Sequence, residues 1–214
     1  MMNVGSTAAW VPDDDPERPW NDAADLAAEW IVAESKRRGV EPLLVTPTQS
    51  QWRMGPEIVR VFANRFEATT PRSARARFGH RPVLAYVPDY DTFHLAAGYA
   101  RDSALAVVEA DSDPVVGWAM EVGALNLITG EPTEDTRSEV QREEFERIHF
   151  YGNNGWTNGF GNNQLRRILM ELQTKGLLNR GLLLGCMLAK GHNGRALTRL
   201  SKIIDSCIIR QRIG

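Results

Sequence analysis

Three short runs of wholly apolar residues restrict the folding of this chain more than any other feature. They are Leu43-Leu44-Val45, Pro82-Val83-Leu84-Ala85-Tyr86-Val87 and Ala104-Leu105-Ala106-Val107-Val108, the last closed by Glu109. A strand with no polar side has to be covered on both faces, as in a parallel sheet. Each run stops at polar or chain-breaking residues: Thr46-Pro47-Thr48-Gln49-Ser50, Pro88-Asp89, and the acidic loop 110–114.

Helical patterns separate these runs. Ala24, Leu26, Ala27, Trp30, Ile31 and Ala33 form one apolar face, with Asn21 or Asp22 as cap, Lys36, Arg37 and Arg38 in the last turn, and Gly39 as the stop. Ile58, Val59, Phe62 and Phe66 repeat the spacing; residues 91–101 follow with Asp91 as cap, and residues 115–129 are closed by Gly130. The alternation predicts an α/β fold: a three- or four-stranded mainly parallel sheet, Rossmann-like, with helices on both faces. Ile148-His149-Phe150-Tyr151 is the candidate fourth strand, opening into an Asn/Gly-rich loop at 152–163. A C-terminal three-helix region follows, at 164–175, 180–190 and 194–209.

The expected organisation is a loose Pro- and Asp-rich segment 1–20, an α/β domain 21–130, an acidic connector 131–147 and a basic helical region 148–214. Residues 71–81 read as a basic connector inside the α/β domain. With 214 residues and 43% hydrophobic content, the chain buries a sizeable core without staples. Cys186 and Cys207 lie on apolar helical stretches and form no Cys-x-x-Cys pair, so neither a disulfide framework nor a cysteine zinc site is expected. The N-terminal stretch lacks the basic start and apolar core of a signal peptide, and residues 182–189, the longest apolar run, are too few to span a bilayer. A cytoplasmic protein without membrane contact is expected, and no cofactor is called for.

Charge is distributed unevenly. Residues 146–214 carry 11 Lys and Arg against 3 Asp and Glu, a net of +8, whereas residues 1–145 carry 14 against 24, a net of −10. The basic part implies an acidic partner, which is nucleic acid, a phosphate-bearing ligand or the chain's own acidic half.

In an open parallel sheet, ligands bind beyond the carboxyl ends of the strands. That edge offers Thr46, Thr48, Gln49 and Ser50, then Asp89, then Glu109, Asp111 and Asp113, and Asn153 and Asn154 after the candidate fourth strand. Glu121 stands out as the one charged residue between Pro114 and Gly130. A carboxylate on so apolar a helix faces the polar edge, is paired, or marks a narrow solvent face. His80, His94, His149 and His192 show no metal-ligand spacing, and no Gly-x-Ser-x-Gly elbow occurs. The loop at 152–163 lacks the final Gly of a dinucleotide fingerprint and has no P-loop lysine.

The stretch Ser103-Ala104-Leu105-Ala106-Val107-Val108-Glu109, followed by Pro114-Val115-Val116-Gly117-Trp118-Ala119-Met120-Glu121-Val122-Gly123-Ala124, resembles nucleoside 2-deoxyribosyltransferases. Those enzymes have an apolar strand, an acidic loop and a helix of the form Gly-Thr-Ala-x-Glu-x-Gly. Trp118 stands where they carry a small hydroxyl residue. The resemblance implies a nucleoside-like substrate, Glu121 as nucleophile at the anomeric carbon, Asp111 or Asp89 assisting departure of the base, and Thr48, Gln49 and Ser50 holding the sugar. Were the chain an enzyme, it would be of glycosyl-transfer or N-glycosidase type.

A second reading rests on the last helix. Arg195, Arg199 and Lys202 fall on one face, with Leu197, Leu200, Ile204 and Cys207 on another and Arg210 and Arg212 beyond. Such a helix is suited to nucleic-acid phosphates, giving a nucleic-acid-binding or regulatory protein acting through residues 164–212, with the α/β part as sensor or homo-oligomerisation platform.

Overall fold

The computed structural model describes residues 7–74, 79–110, 112–157 and 159–213, with side chains as far as Cys207. The chain forms two compact units: Met1–Asp113 with Val122–Glu134, and Pro114–Glu121 with Asp135–Gly214.

The first unit is the α/β fold expected. Its elements are β1 (Thr7–Val11), α1 (Trp20–Arg38), β2 (Leu43–Val45), α2 (Gln49–Arg53), α3 (Glu57–Arg65), β3 (Glu67–Thr69), β4 (Val83–Tyr86), α4 (Tyr90–Tyr99), β5 (Ala104–Val108) and, after an excursion into the second unit, β6 (Leu125–Asn126). The sheet has six strands in the order β3-β2-β4-β5-β1-β6, all paired parallel, where three or four were expected. β3-β2-β4-β5 with β1 beside it reproduces the doubly wound 2-1-3-4-5 arrangement, except that the N-terminal strand fills the last place.

Every residue of β2, β4 and β5 is buried, as strands covered on both faces require. Leu44, Leu84, Tyr86, Ala104, Ala106 and Val108 share one core with α1 and α3, through Ala24, Ala27, Ile31, Val59 and Phe62. The alternate residues point to the opposite side, where α4 packs on β2 and β4. The alanines of α1 let its backbone approach the sheet closely. Gly39 ends α1 in the left-handed conformation, donating to the Lys36 and Ser35 carbonyls as expected of a glycine stop.

Within the segment expected to be loose, residues 7–11 form a strand. Thr7–Val11 pairs residue for residue with Ala104–Val108, and the Trp10 indole donates to Thr133 Oγ1 at 2.8 Å. The connector at 71–81 lies partly outside the described residues, which omit 75–78.

The second unit is helical: α5 (Val116–Val122, all but its last residue), α6 (Glu139–Tyr151), α7 (Phe160–Thr174), α8 (Arg180–Ala189) and α9 (Gly194–Ile213). The three C-terminal helices are present, and α6 precedes them. Residues 148–151, expected as a strand, are the last turn of α6. Ser138 starts that helix by accepting from Gln141 N, while Gln141 Oε1 accepts from Ser138 N. Phe145 and Ile148 then fall three apart on its buried side. The second half of the acidic connector is therefore helix. The helix expected over 115–129 stops at Val122, because Gly123 turns left-handed and β6 follows.

Residues Leu182–Leu188 of α8 are buried throughout, making it the core of the unit. Glycines let α5 cross it: a Cβ on Gly117 would lie 2.1 Å from the Leu182 carbonyl oxygen, and one on Gly185 would lie 2.7 Å from Gly117 N. Among the described residues no helix is long and apolar enough to cross a membrane.

Candidate functional site

The strand order places a switch point between β2 and β4: β2 leads outward to β3, while β4 leads the other way to β5. A crevice opens above adjacent strands whose connections diverge. Here it is a cleft of about 550 Å³ lined by Trp20, Ser50, Gln51, Met54, Gly55, Tyr86, Val87, Ala110 and Ser112.

Each wall has a local cause. After β2, the buried Thr46 hydroxyl donates to the Thr48 carbonyl at 2.8 Å, bending the chain into α2. Thr48 N donates to Gln51 Oε1 at 2.9 Å, and the Thr48 and Ser50 hydroxyls lie 2.9 Å apart. Gly55 is obligatory, since a Cβ there would meet the Gln51 carbonyl oxygen at 2.2 Å. Trp20, 45% exposed, opens α1 at the rim, and Met54 is 84% exposed. Tyr86 ends β4, and burial pushes its phenol up to about 12, so it stays protonated at neutral pH. Val87 follows with φ of 41°. A β-branched residue in that conformation is strained, and such strain concentrates at binding sites. None of the described lining residues carries a charge.

Of the residues expected at this edge, Ser50 lines the cleft, Thr48 and Gln49 stand on the same loop and first helical turn, and Asp89 caps α4 by accepting from Thr92 N at 2.7 Å. Asp111 lies outside the described residues. Trp20, Gln51, Tyr86 and Ser112 were not anticipated. They come from four separate elements, and only the strand order assembles them.

Glu121, Asn153 and Asn154 belong to the helical unit. The Glu121 carboxylate accepts from the Arg137 guanidinium and lies 3.7 Å from Lys190 Nζ, which also holds Glu146 at 2.5 Å. Arg137 is buried; its Nε and Nη2 clasp Asp135 at 2.7 and 2.8 Å, and its Nη1 lies 3.2 Å from Cys186 Sγ. The Arg137 hydrogen bonds hold Asp135 down at about 2, and burial pushes the Cys186 thiol up to about 12. The charge on the apolar helix is thus paired, one of the three outcomes open from sequence.

Two histidines 43 positions apart also meet. His149 Nδ1 and His192 Nε2 are 2.9 Å apart, and the His192 ring lies on Trp156 at 4.4 Å. Burial, then His149 and Lys190, lower His192 to about 4. Among the described residues no group of three or more His, Cys, Asp or Glu is arranged to hold a metal ion. Asn153 and Asn154 are exposed on the loop after α6. Arg195, Arg199 and Lys202 are exposed on α9, where Arg199 Nη1 donates to the Gly155 carbonyl at 2.6 Å.

The chain matches no protein-family model, no curated protein and no solved structure.

Proposed function

We propose that the α/β unit binds a small, flat, uncharged ligand of the nucleoside type in the cleft at the β2–β4 switch point. The makeup of the cleft supports this reading. Its volume, about 550 Å³, falls in the range of small-molecule sites. Trp20 and Tyr86 supply aromatic surface for a base, while Ser50, Gln51 and Ser112 supply neutral hydrogen-bonding groups for a base edge or a sugar. The absence of charge among the described lining residues favours a nucleoside over a nucleotide.

The resemblance around Glu121 would add glycosyl transfer to this reading. A carboxylate gripped by Arg137 and Lys190 is a poor nucleophile, so binding is the activity proposed. Isothermal titration of the full chain with adenosine, uridine and their 5′-phosphates tests it. Saturable binding of a nucleoside, weaker for its 5′-phosphate and lost on Trp20→Ala, supports the proposal. Heats absent for every nucleoside, or unchanged by Trp20→Ala, overturn it.

A further inference from the structure

The helical unit carries a feature that the cleft does not use. Phe150 and Phe160 are 67% and 69% exposed. The Tyr151 ring meets both edge to face, 5.4 Å from Phe150 at 74° and 5.8 Å from Phe160 at 76°. Two aromatic rings left in water beside a third form a surface that gains by being covered. The loop joining Tyr151 to Phe160 is held at Gly155 by Arg199, so the exposed basic face of α9 (Arg195, Arg199 and Lys202) borders the same loop. Arg195 and Lys202 make no ion pair among the described residues. Glu146, the carboxylate nearest the rings along α6, is bound by Lys190. The exposed Glu139 and Glu143 lie about three and two helical turns before Phe150.

From this juxtaposition we infer that the helical unit binds single-stranded nucleic acid, with unpaired bases stacking on Phe150, Tyr151 and Phe160 and phosphates tracking Arg195, Arg199 and Lys202. Exposed rings beside cations are the two parts such a surface needs. A duplex keeps its base faces stacked within itself and has no use for the rings. The net charge of +8 over residues 146–214 is complementary to the backbone.

The test is fluorescence anisotropy of a labelled thymidine oligonucleotide of about 20 nucleotides with the full chain, from about 25 to 200 mM salt. Phe150→Ser/Phe160→Ser is compared with Arg195→Gln/Arg199→Gln/Lys202→Gln, each checked for fold by circular dichroism and for mass by sedimentation. All five positions are exposed, and Phe160→Ser alone serves as a milder variant. Expected are affinity that falls with salt, a loss of about tenfold or more in the aromatic variants, a shallower salt dependence in the basic variant, and weak competition by duplex. No binding at the lowest salt overturns the inference. So does binding indifferent to both phenylalanines, or a dimer that the phenylalanine substitutions dissolve while affinity stays unchanged.

Discussion

Arg137 donates to both Glu121 and Asp135, joining the apolar helix α5 to the segment that leads into α6. The guanidinium is buried and its partners are partly exposed, so removing it leaves two carboxylates without their main counter-charge but within reach of water. Arg137→Ala is expected to destabilise the helical unit by about 2 kcal/mol, less than stranding a fully buried charge would cost. Glu121→Gln, which keeps a hydrogen-bond acceptor, is expected to cost less. Urea unfolding of both variants checks the order; equal and negligible losses would contradict it.

Asp135 makes the same cluster sensitive to acid. Its carboxyl is lowered from 3.8 to about 2. A depressed carboxylate contributes stability above its unfolded value and loses it as pH falls through the folded value. The helical unit should therefore weaken between about pH 4 and pH 2, and Asp135→Asn should flatten the profile there while lowering stability at pH 7. Thermal unfolding at stepped pH reads both effects.

His192 acts at milder pH. A histidine lowered from 6.5 to about 4 is neutral in the folded chain, and the unfolded chain takes up the proton first. Stability from this group is whole above about pH 6.5, falls toward pH 4 and then levels off. His192→Gln should remove that slope. Proton NMR of the His192 ring should show no titration between pH 5 and pH 8, and a midpoint near 6.5 would contradict the packing on Trp156.

The crossing of α5 and α8 leaves no room at its centre. Gly117→Ala and Gly185→Ala each place a methyl against backbone, which cannot yield as a side chain can. Each should cost about 3 kcal/mol or more, at the upper end for overpacking. Gly130→Ala, with nothing near its Cβ, should cost only the strain of its left-handed turn, about 1 kcal/mol.

The sheet's centre was legible because β2, β4 and β5 are apolar throughout and end in breakers, a signal local to each run. β1 was not, since Thr7–Val11 is defined by pairing with β5 across nearly the length of the unit and leads into Pro- and Asp-rich chain. β3 and β6, of three and two residues, exist only through their neighbours. Ile148 to Tyr151 misled because a short apolar run fits either element; the Ser138–Gln141 box ten residues earlier was the signal for helix. The candidate site divides the same way. Ser50 follows a readable strand. Trp20 and Tyr86 meet it only through the strand order, and the Asp111 expected there lies outside the described residues.

The most direct test of the nucleoside cleft is a ¹H–¹⁵N NMR titration of the full chain with the nucleoside that binds most tightly. A nucleoside in the cleft is expected to shift the Trp20 indole, Ser50, Gln51, the Gln51 side-chain amide, and Tyr86 to Val87, all saturating together along one curve. Shifts confined to the helical unit, or none up to the ligand's solubility, would contradict it.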